Sequence, residues 1–416
     1  MPRSRIGLAL AGGGFLGIAY ELGTLAALTE AIEDFDPTDA DVYVGVSAGA
    51  FVGAGLANGL SAREMLRLFV EEPQDGGLFD PGTLLRPAWG EIRQALAGAP
   101  PLAWRILRER MPWAGPERRA AARWWSVLDR AARLLPTGLF DAAPAEARLA
   151  QLFTERGRTD DFGRLRRPLS VIATDLDAGT TVEFGPPPHD RVPISRAVRA
   201  SSAVPGLFPP VEIDGRRFVD GALNKTMHAS VALAHGAQLV LCLNPLVPYA
   251  PASASPDRRG SIARHGLPAV LAQTVRTTIR SRMAAGMERY AISHPQADVL
   301  LFEPASDDPL TFFARLFDYG GRRRLCEHAY QQARVDLLAR AAALAPVLQR
   351  HGLSLRTDRL STPAVLFPDE PVDPLAADPA SRPPRSRGAL RLARALDAMS
   401  AQLRAEAARR PGHGPR

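Results

Sequence analysis

The sequence predicts an α/β fold, a three-layer α/β/α arrangement around a mostly parallel central sheet. Three observations lead to this prediction. Four short runs are almost continuously apolar and rich in Val, Ile and Leu, as strands buried on both faces are. Segments with helical spacing of apolar residues separate these runs, and parallel strands need such crossover connections. The chain has 416 residues, of which 46% are hydrophobic and 23% charged, a composition typical of globular proteins.

The four predicted strands are residues 6–11, 42–46, 169–174 and 239–243. The first strand runs into three glycines, which predict a turn, and a helix is expected from Gly17 onward. Farther along, apolar residues recur every three or four positions and predict helices over residues 270–287 and 322–348. Residues 299–302 predict one more strand, and the dipeptide Asp214-Gly215 predicts a hairpin turn.

Changes in composition divide the chain into three parts. Residues 1–250 are expected to form the α/β core, interrupted at about 82–135 by a helical insertion that is rich in arginine and contains every tryptophan. Trp/Arg faces suit a lid or a membrane interface, although packing of these helices on the sheet is an equally physical alternative. Over residues 251–362 the sequence predicts a helical region that completes or covers the core. Residues 363–416 predict a Pro-rich linker, a basic helix and a disordered tail.

Charge and cysteine content limit the function classes. The formal net charge of +7 permits attraction to anionic lipid, and we expect no nucleic-acid partner. Cys242 and Cys326 are too few for a disulfide framework and are expected to be buried, reduced thiols. Glycines interrupt the apolar N-terminus, so we expect no leader or membrane span there, and a cytoplasmic location with peripheral membrane contact. No His/Cys cluster has metal-ligand spacing, so neither a metal nor a cofactor is expected.

The pentapeptide from Gly45 to Gly49 reads G-x-S-x-G and places Ser47 between a predicted strand and a predicted helix. This pattern is typical of a sharp strand-to-helix turn that exposes a nucleophilic serine. Gly45 and Gly49 flank the serine because larger side chains would clash in so tight a bend. The helix dipole at this position favours a developing negative charge. The motif therefore predicts Ser47 as a nucleophile.

Three consecutive glycines, Gly12, Gly13 and Gly14, follow the first predicted strand. Their backbone N–H groups have no side-chain cover and suit an oxyanion hole. Gly12, Gly14 and Gly17 also match the G-x-G-x-x-G fingerprint of dinucleotide-binding proteins, and several aspartates follow at suitable distance. Against this alternative, the next predicted strand runs directly into the serine turn instead of ending at a ribose-binding acidic residue.

Asp220-Gly221 ends a predicted strand far along the chain. A carboxylate in this position is a candidate general base, although Asp-Gly is also a common turn. An unperturbed aspartate has a pKa of about 3.9, so Asp220 is expected to be ionised at neutral pH. A triad with a histidine such as His228 or His328 is the alternative, since the order Ser, Asp, His is also present. Such a triad is typical of the α/β-hydrolase fold. That fold places several strands before its serine turn, whereas here the turn comes at residue 47.

Taken in order, these motifs resemble the patatin-like phospholipase family: a glycine loop at the N-terminus, G-x-S-x-G about 30 residues later, and a distant Asp-Gly. Three further blocks agree with the resemblance, which covers about residues 5–225. They are the blocks at residues 138–141, 171–180 and 200–209.

The resemblance implies a serine lipid acyl hydrolase, a phospholipase A or carboxylesterase, that uses a Ser–Asp dyad without histidine. Carried over, Ser47 is the nucleophile, Asp220 is the base, and Gly12, Gly13 and Gly14 form the oxyanion hole. Its partner would be a phospholipid or another acyl ester. A non-catalytic relative that binds membranes or partners is the remaining alternative.

One position departs from the family pattern. The loop commonly has Arg or Lys before its last glycine, where this chain has Leu16. The backbone donors survive this change, but a cation that could hold a charged headgroup is lost from the loop.

Overall fold

The computed structural model describes residues 4–70, 86–91, 93, 135–250, 261–313 and 321–367. The first half of the fold contains β1 (Ile6–Leu10), α1 (Gly14–Ala31), β2 (Ile32–Glu33), β3 (Val42–Val46), α2 (Ala48–Ala57), α3 (Ala62–Val70), α4 (Ala143–Phe153), β4 (Leu169–Asp175) and β5 (Thr180–Phe184). The second half contains α5 (Ile194–Ser201), β6 (Val211–Ile213), β7 (Arg216–Asp220), α6 (Ala229–Ala234), β8 (Leu239–Leu243), α7 (Gly266–Ser293), β9 (Asp298–Phe302), α8 (Pro309–Phe312), α9 (Arg322–Ala339), α10 (Ala341–Arg350), β10 (Ser354–Leu355) and α11 (Thr357–Ser361).

The central sheet has eight strands, seven of them in the order β6-β7-β4-β3-β1-β8-β9, with β5 paired to β4. The pairs among β4, β3, β1, β8 and β9 are parallel, whereas β5, β6 and β7 add antiparallel pairs at one side. Every residue of β1, β3, β4 and β8 is buried, as continuous apolar runs demand. The predicted α/β fold with a mostly parallel sheet is confirmed.

Helices cover the sheet on both faces, and each face has its own apolar core. On one face α1, α2, α5 and α9 pack together, with Leu22, Leu25 and Leu28 of α1 fully buried. On the other face the smaller core joins sheet residues to α6 and α7, including Ala232 and Tyr290. This layering separates α7 from the helices that follow the glycine loop and the serine turn.

The register of β4 brings two distant parts of the chain together. Along one edge of β4, Ile172 pairs with Val46 of β3, and the next residue, Ala173, pairs with Asp220 of β7. The opposite edge is occupied by β5 over the same stretch, so β3 and β7 must share one edge. The end of β3 and the end of β7 therefore meet at neighbouring positions.

Some predicted boundaries shift in the structure. The helix predicted over residues 322–348 is divided into α9 and α10, because Arg340 leaves helical geometry at φ −96° and ψ 8°. The helix predicted over residues 270–287 is longer at both ends. Asp214 and Gly215 both have positive φ, 51° and 74°, which confirms the predicted hairpin turn between β6 and β7.

Several predicted features lie outside the described residues. These are most of the insertion at about 82–135 and the region from residue 368 to the C-terminus, which contains the predicted basic helix. Residues Met1–Phe367 form one compact unit. Among the helices described within it, none combines the length and the apolarity that crossing a membrane requires.

Candidate active site

Ser47 lies on a sharp bend between β3 and α2. Its backbone has φ 53° and ψ −114°, a conformation that a non-glycine residue adopts only under strain and that is typical of nucleophile turns. The flanking glycines are sterically required. A Cβ on Gly45 would lie 2.3 Å from the carbonyl oxygen of Gly49, and a Cβ on Gly49 would lie 2.4 Å from that of Leu10. The motif has the geometry that the sequence predicts.

Asp220 reaches the serine through the shared edge of β4. One carboxylate oxygen of Asp220 accepts a hydrogen bond from the Ala222 N–H at 2.8 Å. The Ser47 side chain lies near enough to this carboxylate to act as a hydrogen-bond donor that lowers its pKa. Both side chains are 4% exposed, so this contact is shielded from water. The structure thus brings together the two residues that the sequence analysis predicts as nucleophile and base.

Burial changes the acidity of Asp220. Loss of solvation disfavours its charged form and raises the pKa of the carboxyl to about 6, against the opposing effect of the hydrogen bonds from Ser47 and Ala222. The prediction of an ordinary aspartate is wrong, because a sequence does not reveal how completely a carboxylate is desolvated. At neutral pH the group is still mostly ionised, but it binds protons more strongly than predicted.

Ser201, at the end of α5, holds the backbone of the nucleophile. Its Oγ accepts a hydrogen bond from the Ser47 N–H at 2.8 Å and donates one to the Ile172 carbonyl at 2.5 Å. This bridge fixes the bend to the edge of β4. The sequence analysis gave Ser201 no role, although it belongs to one of the blocks that carry the family resemblance.

The glycine loop faces the same site, but its three N–H groups are not equivalent. The Gly12 N–H donates to the Thr226 carbonyl at 3.2 Å, so it is already occupied. Gly13 and Gly14 line the cavity in front of Ser47, at the N-terminus of α1, where N–H groups have no partner within the helix. The predicted oxyanion hole of three glycines is therefore reduced to two candidates, Gly13 and Gly14.

Phe15, the next residue of this loop, is held by an aromatic and cationic cluster. Its ring stacks on that of Phe69, with centroids 6.4 Å apart. The guanidinium of Arg322, from α9, lies over both rings at 5.2 and 5.0 Å and donates to the Phe69 carbonyl at 3.1 Å. Arg322 is far away in the sequence, and no local motif indicates this contact.

Comparison with known proteins decides the family. A family model described as patatin-like phospholipase matches residues 8–233, more than half of the chain. The chain belongs to the patatin-like phospholipase family. Two uncharacterized NTE family proteins of Mycobacterium tuberculosis are similar to it, one 45% identical over 56 residues and the other 26% identical over 241 residues. These matches cover 14% and 58% of this chain.

The chain spans only 14% and 30% of the lengths of these two relatives. Among solved structures, it is similar to VipD from Legionella pneumophila, with 18% sequence identity and a TM-score of 0.36. That match covers 80% of this chain and 66% of VipD.

Next to the Ser47–Asp220 pair of this patatin-like fold lies a cavity of about 1020 Å³. Most of its lining is apolar and comes from the helices around the site. The apolar lining residues include Phe15, Leu16, Phe51, Leu149, Val198, Leu271, Val275, Ile279, Met283 and Met287. Such a volume and lining suit a long apolar group that leaves water on binding.

Two alternatives raised by the sequence, a histidine triad and dinucleotide binding, gain no support in this patatin-like fold. The described residues that line the cavity include no histidine. His228 is buried and contacts the Lys225 carbonyl at 3.1 Å, while His328 pairs with Asp308 at 2.8 Å. Within the described ranges, no group of three or more His, Cys, Asp or Glu side chains could hold a metal ion. The family assignment favours hydrolysis over dinucleotide binding for the glycine loop.

Proposed function

We propose that this protein is a serine lipid acyl hydrolase, a phospholipase A or carboxylesterase, in which Ser47 is the nucleophile and Asp220 the general base. The observation that carries the proposal is that these two buried side chains lie side by side in the lining of a largely apolar cavity of about 1020 Å³. Family membership supports the same reaction class. A phospholipid ester resides in a bilayer, so the proposal includes peripheral contact with a membrane.

In the proposed reaction, Asp220 accepts the proton of the Ser47 hydroxyl while the serine oxygen attacks the ester carbonyl carbon. The carbonyl oxygen becomes an anion, which the N–H groups of Gly13 and Gly14 stabilise together with the N-terminus of α1. The alcohol leaves with the proton from Asp220. Water then attacks the acyl-enzyme by the same route and releases the fatty acid.

Labelling with a fluorophosphonate probe tests the dyad directly, because such probes react with activated serines. We expect labelling of the wild type and none of Ser47→Ala. Labelling of Asp220→Asn should be strongly reduced, since no base remains to take the hydroxyl proton. Ser202→Ala is the matched control, since Ser202 also lines the cavity and its N–H donates to the Val198 carbonyl at the end of α5. Normal labelling of Ser47→Ala would overturn the proposal.

A further inference from the structure

Four cationic side chains line the cavity without a carboxylate partner among the described residues. They are Lys225, Arg276, Arg282 and Arg289. A fifth cation of the lining, Arg199, is paired with Glu146 at 2.7 Å. The acidic residues among the described lining are Glu146 and Asp220, and Glu146 is the partner of Arg199. Among the described residues that line the cavity beside the proposed nucleophile, positive charges therefore outnumber negative ones.

Arg282 and Lys225 are fixed between α7 and the loop that follows Asp220. The Arg282 guanidinium donates one hydrogen bond, to the Asn224 carbonyl at 3.2 Å. An arginine side chain has five N–H donors, so this one bond leaves most of its donors unused among the described residues. The Lys225 ammonium donates to the Tyr290 hydroxyl at 2.7 Å and lies 5.2 Å from the centre of that ring. Neither contact neutralises the charge.

These cations do not serve the proposed base. The pKa of Asp220 is set by burial and by its hydrogen bonds with Ser47 and Ala222. Arg276 is a buried cation of this lining; its guanidinium lies 4.5 Å from the centre of the Phe312 ring, and burial lowers its pKa to about 10. Lys225 is half-buried, and Arg282 and Arg289 are exposed, so these three cations lie where the apolar lining meets water. Such an arrangement suits a ligand that has an anionic group beside an apolar chain.

We infer that Lys225, Arg282 and Arg289 form a subsite for an anionic group of the substrate, the phosphate diester of a glycerophospholipid headgroup. This inference rests on the proposed function and adds the part of the substrate that these residues recognise. Arg282 and Arg289 belong to α7, outside the residues 8–233 that match the family model.

The test compares two substrates with the same acyl chains, phosphatidylcholine and diacylglycerol, in mixed micelles with a neutral detergent. The quantity of interest is the ratio of their kcat/KM values, because a general loss of folding or of serine reactivity affects both equally. We expect the wild type to prefer phosphatidylcholine. Arg282→Met should lower the ratio about tenfold, and Arg282→Met combined with Arg289→Met about a hundredfold, since charge-assisted hydrogen bonds to the phosphate are lost.

Arg280→Met is the matched control, since Arg280 lies on the same helix and is exposed outside the cavity lining; its ratio should equal that of the wild type. Arg282→Lys should retain part of the preference through its charge. An unchanged ratio in the double variant, with normal fluorophosphonate labelling, would overturn the subsite but not the proposed function. Inhibition of diacylglycerol hydrolysis by inorganic phosphate, without any preference for phosphatidylcholine, would assign the subsite to free phosphate and overturn the headgroup assignment. Absence of both labelling and hydrolysis would instead overturn the proposed function.

Discussion

The pH dependence of the reaction follows from the burial of Asp220. The proposed mechanism needs the ionised carboxylate, and burial raises the pKa of Asp220 to about 6. The active fraction should therefore be about one half at pH 6 and about one tenth at pH 5. An exposed aspartate, with a pKa of about 3.9, would still be about nine-tenths ionised at pH 5. The ionised fractions in the two cases differ about tenfold at pH 5, a pH that many proteins tolerate.

The assay is kcat/KM for a soluble chromogenic ester between pH 4 and 8, with circular dichroism at each pH to verify folding. We expect a limb that falls tenfold per pH unit below about pH 6. A profile that stays flat to pH 5 and falls only near pH 4 would refute the argument that burial sets the acidity of this group. The rate of fluorophosphonate labelling should follow the same curve, because it depends on the same proton transfer.

The same shift predicts a change in stability. A raised pKa means that the folded state binds the Asp220 proton more tightly than the unfolded state does. The free energy of unfolding should therefore fall as the pH rises from about 4 to about 6, and the shift from 3.8 to about 6 corresponds to about 3 kcal/mol. Asp220→Asn should be more stable than the wild type at pH 7 and equally stable near pH 4. Urea unfolding at both pH values measures this, and an equal difference at both would contradict it.

Two further predictions concern residues that shape the site. Gly49→Ala should unfold at a markedly lower temperature, because the new Cβ would lie 2.4 Å from the Leu10 carbonyl oxygen. Gly53→Ala in the same helix meets its nearest neighbour at 3.6 Å and should gain up to about 1 kcal/mol, so equal melting temperatures would argue against the steric account. Arg322→Met removes the cation over Phe15 and should lower kcat more than it raises KM. Arg322→Lys should recover part of kcat, and a change in KM alone would contradict a positioning role.

The sequence predicts those parts of the fold that burial alone determines. The run from Val42 to Val46 is continuously apolar because both faces of the strand are covered, so its position and boundaries are predicted correctly. The same holds for Leu239–Leu243. Helix boundaries that depend on the backbone geometry of a single residue are not predicted. At Arg340 that geometry divides one predicted helix into two.

The contacts that assemble the site depend on pairing between distant segments. The residues around Asp220 do not indicate that it pairs with Ala173 of β4. The residue before Ala173 in β4 is the one that pairs with Val46. Its motif identifies the residue, whereas the strand register explains why it reaches Ser47. The Gly12 N–H likewise loses its predicted role because the Thr226 carbonyl occupies it, a contact that spacing along the chain does not reveal.

Burial also explains why an aspartate can replace a histidine as the proposed base. An ordinary histidine has a pKa of about 6.5, and burial brings the pKa of Asp220 to about 6, so little base strength is lost. His228, only eight residues farther along the chain, is affected in the opposite direction: burial and the charge of Lys225 lower its pKa to about 4. Burial thus strengthens a carboxylate as a base and weakens an imidazole. Of these two buried groups, Asp220 is therefore the stronger base, and it is the one that lies beside Ser47.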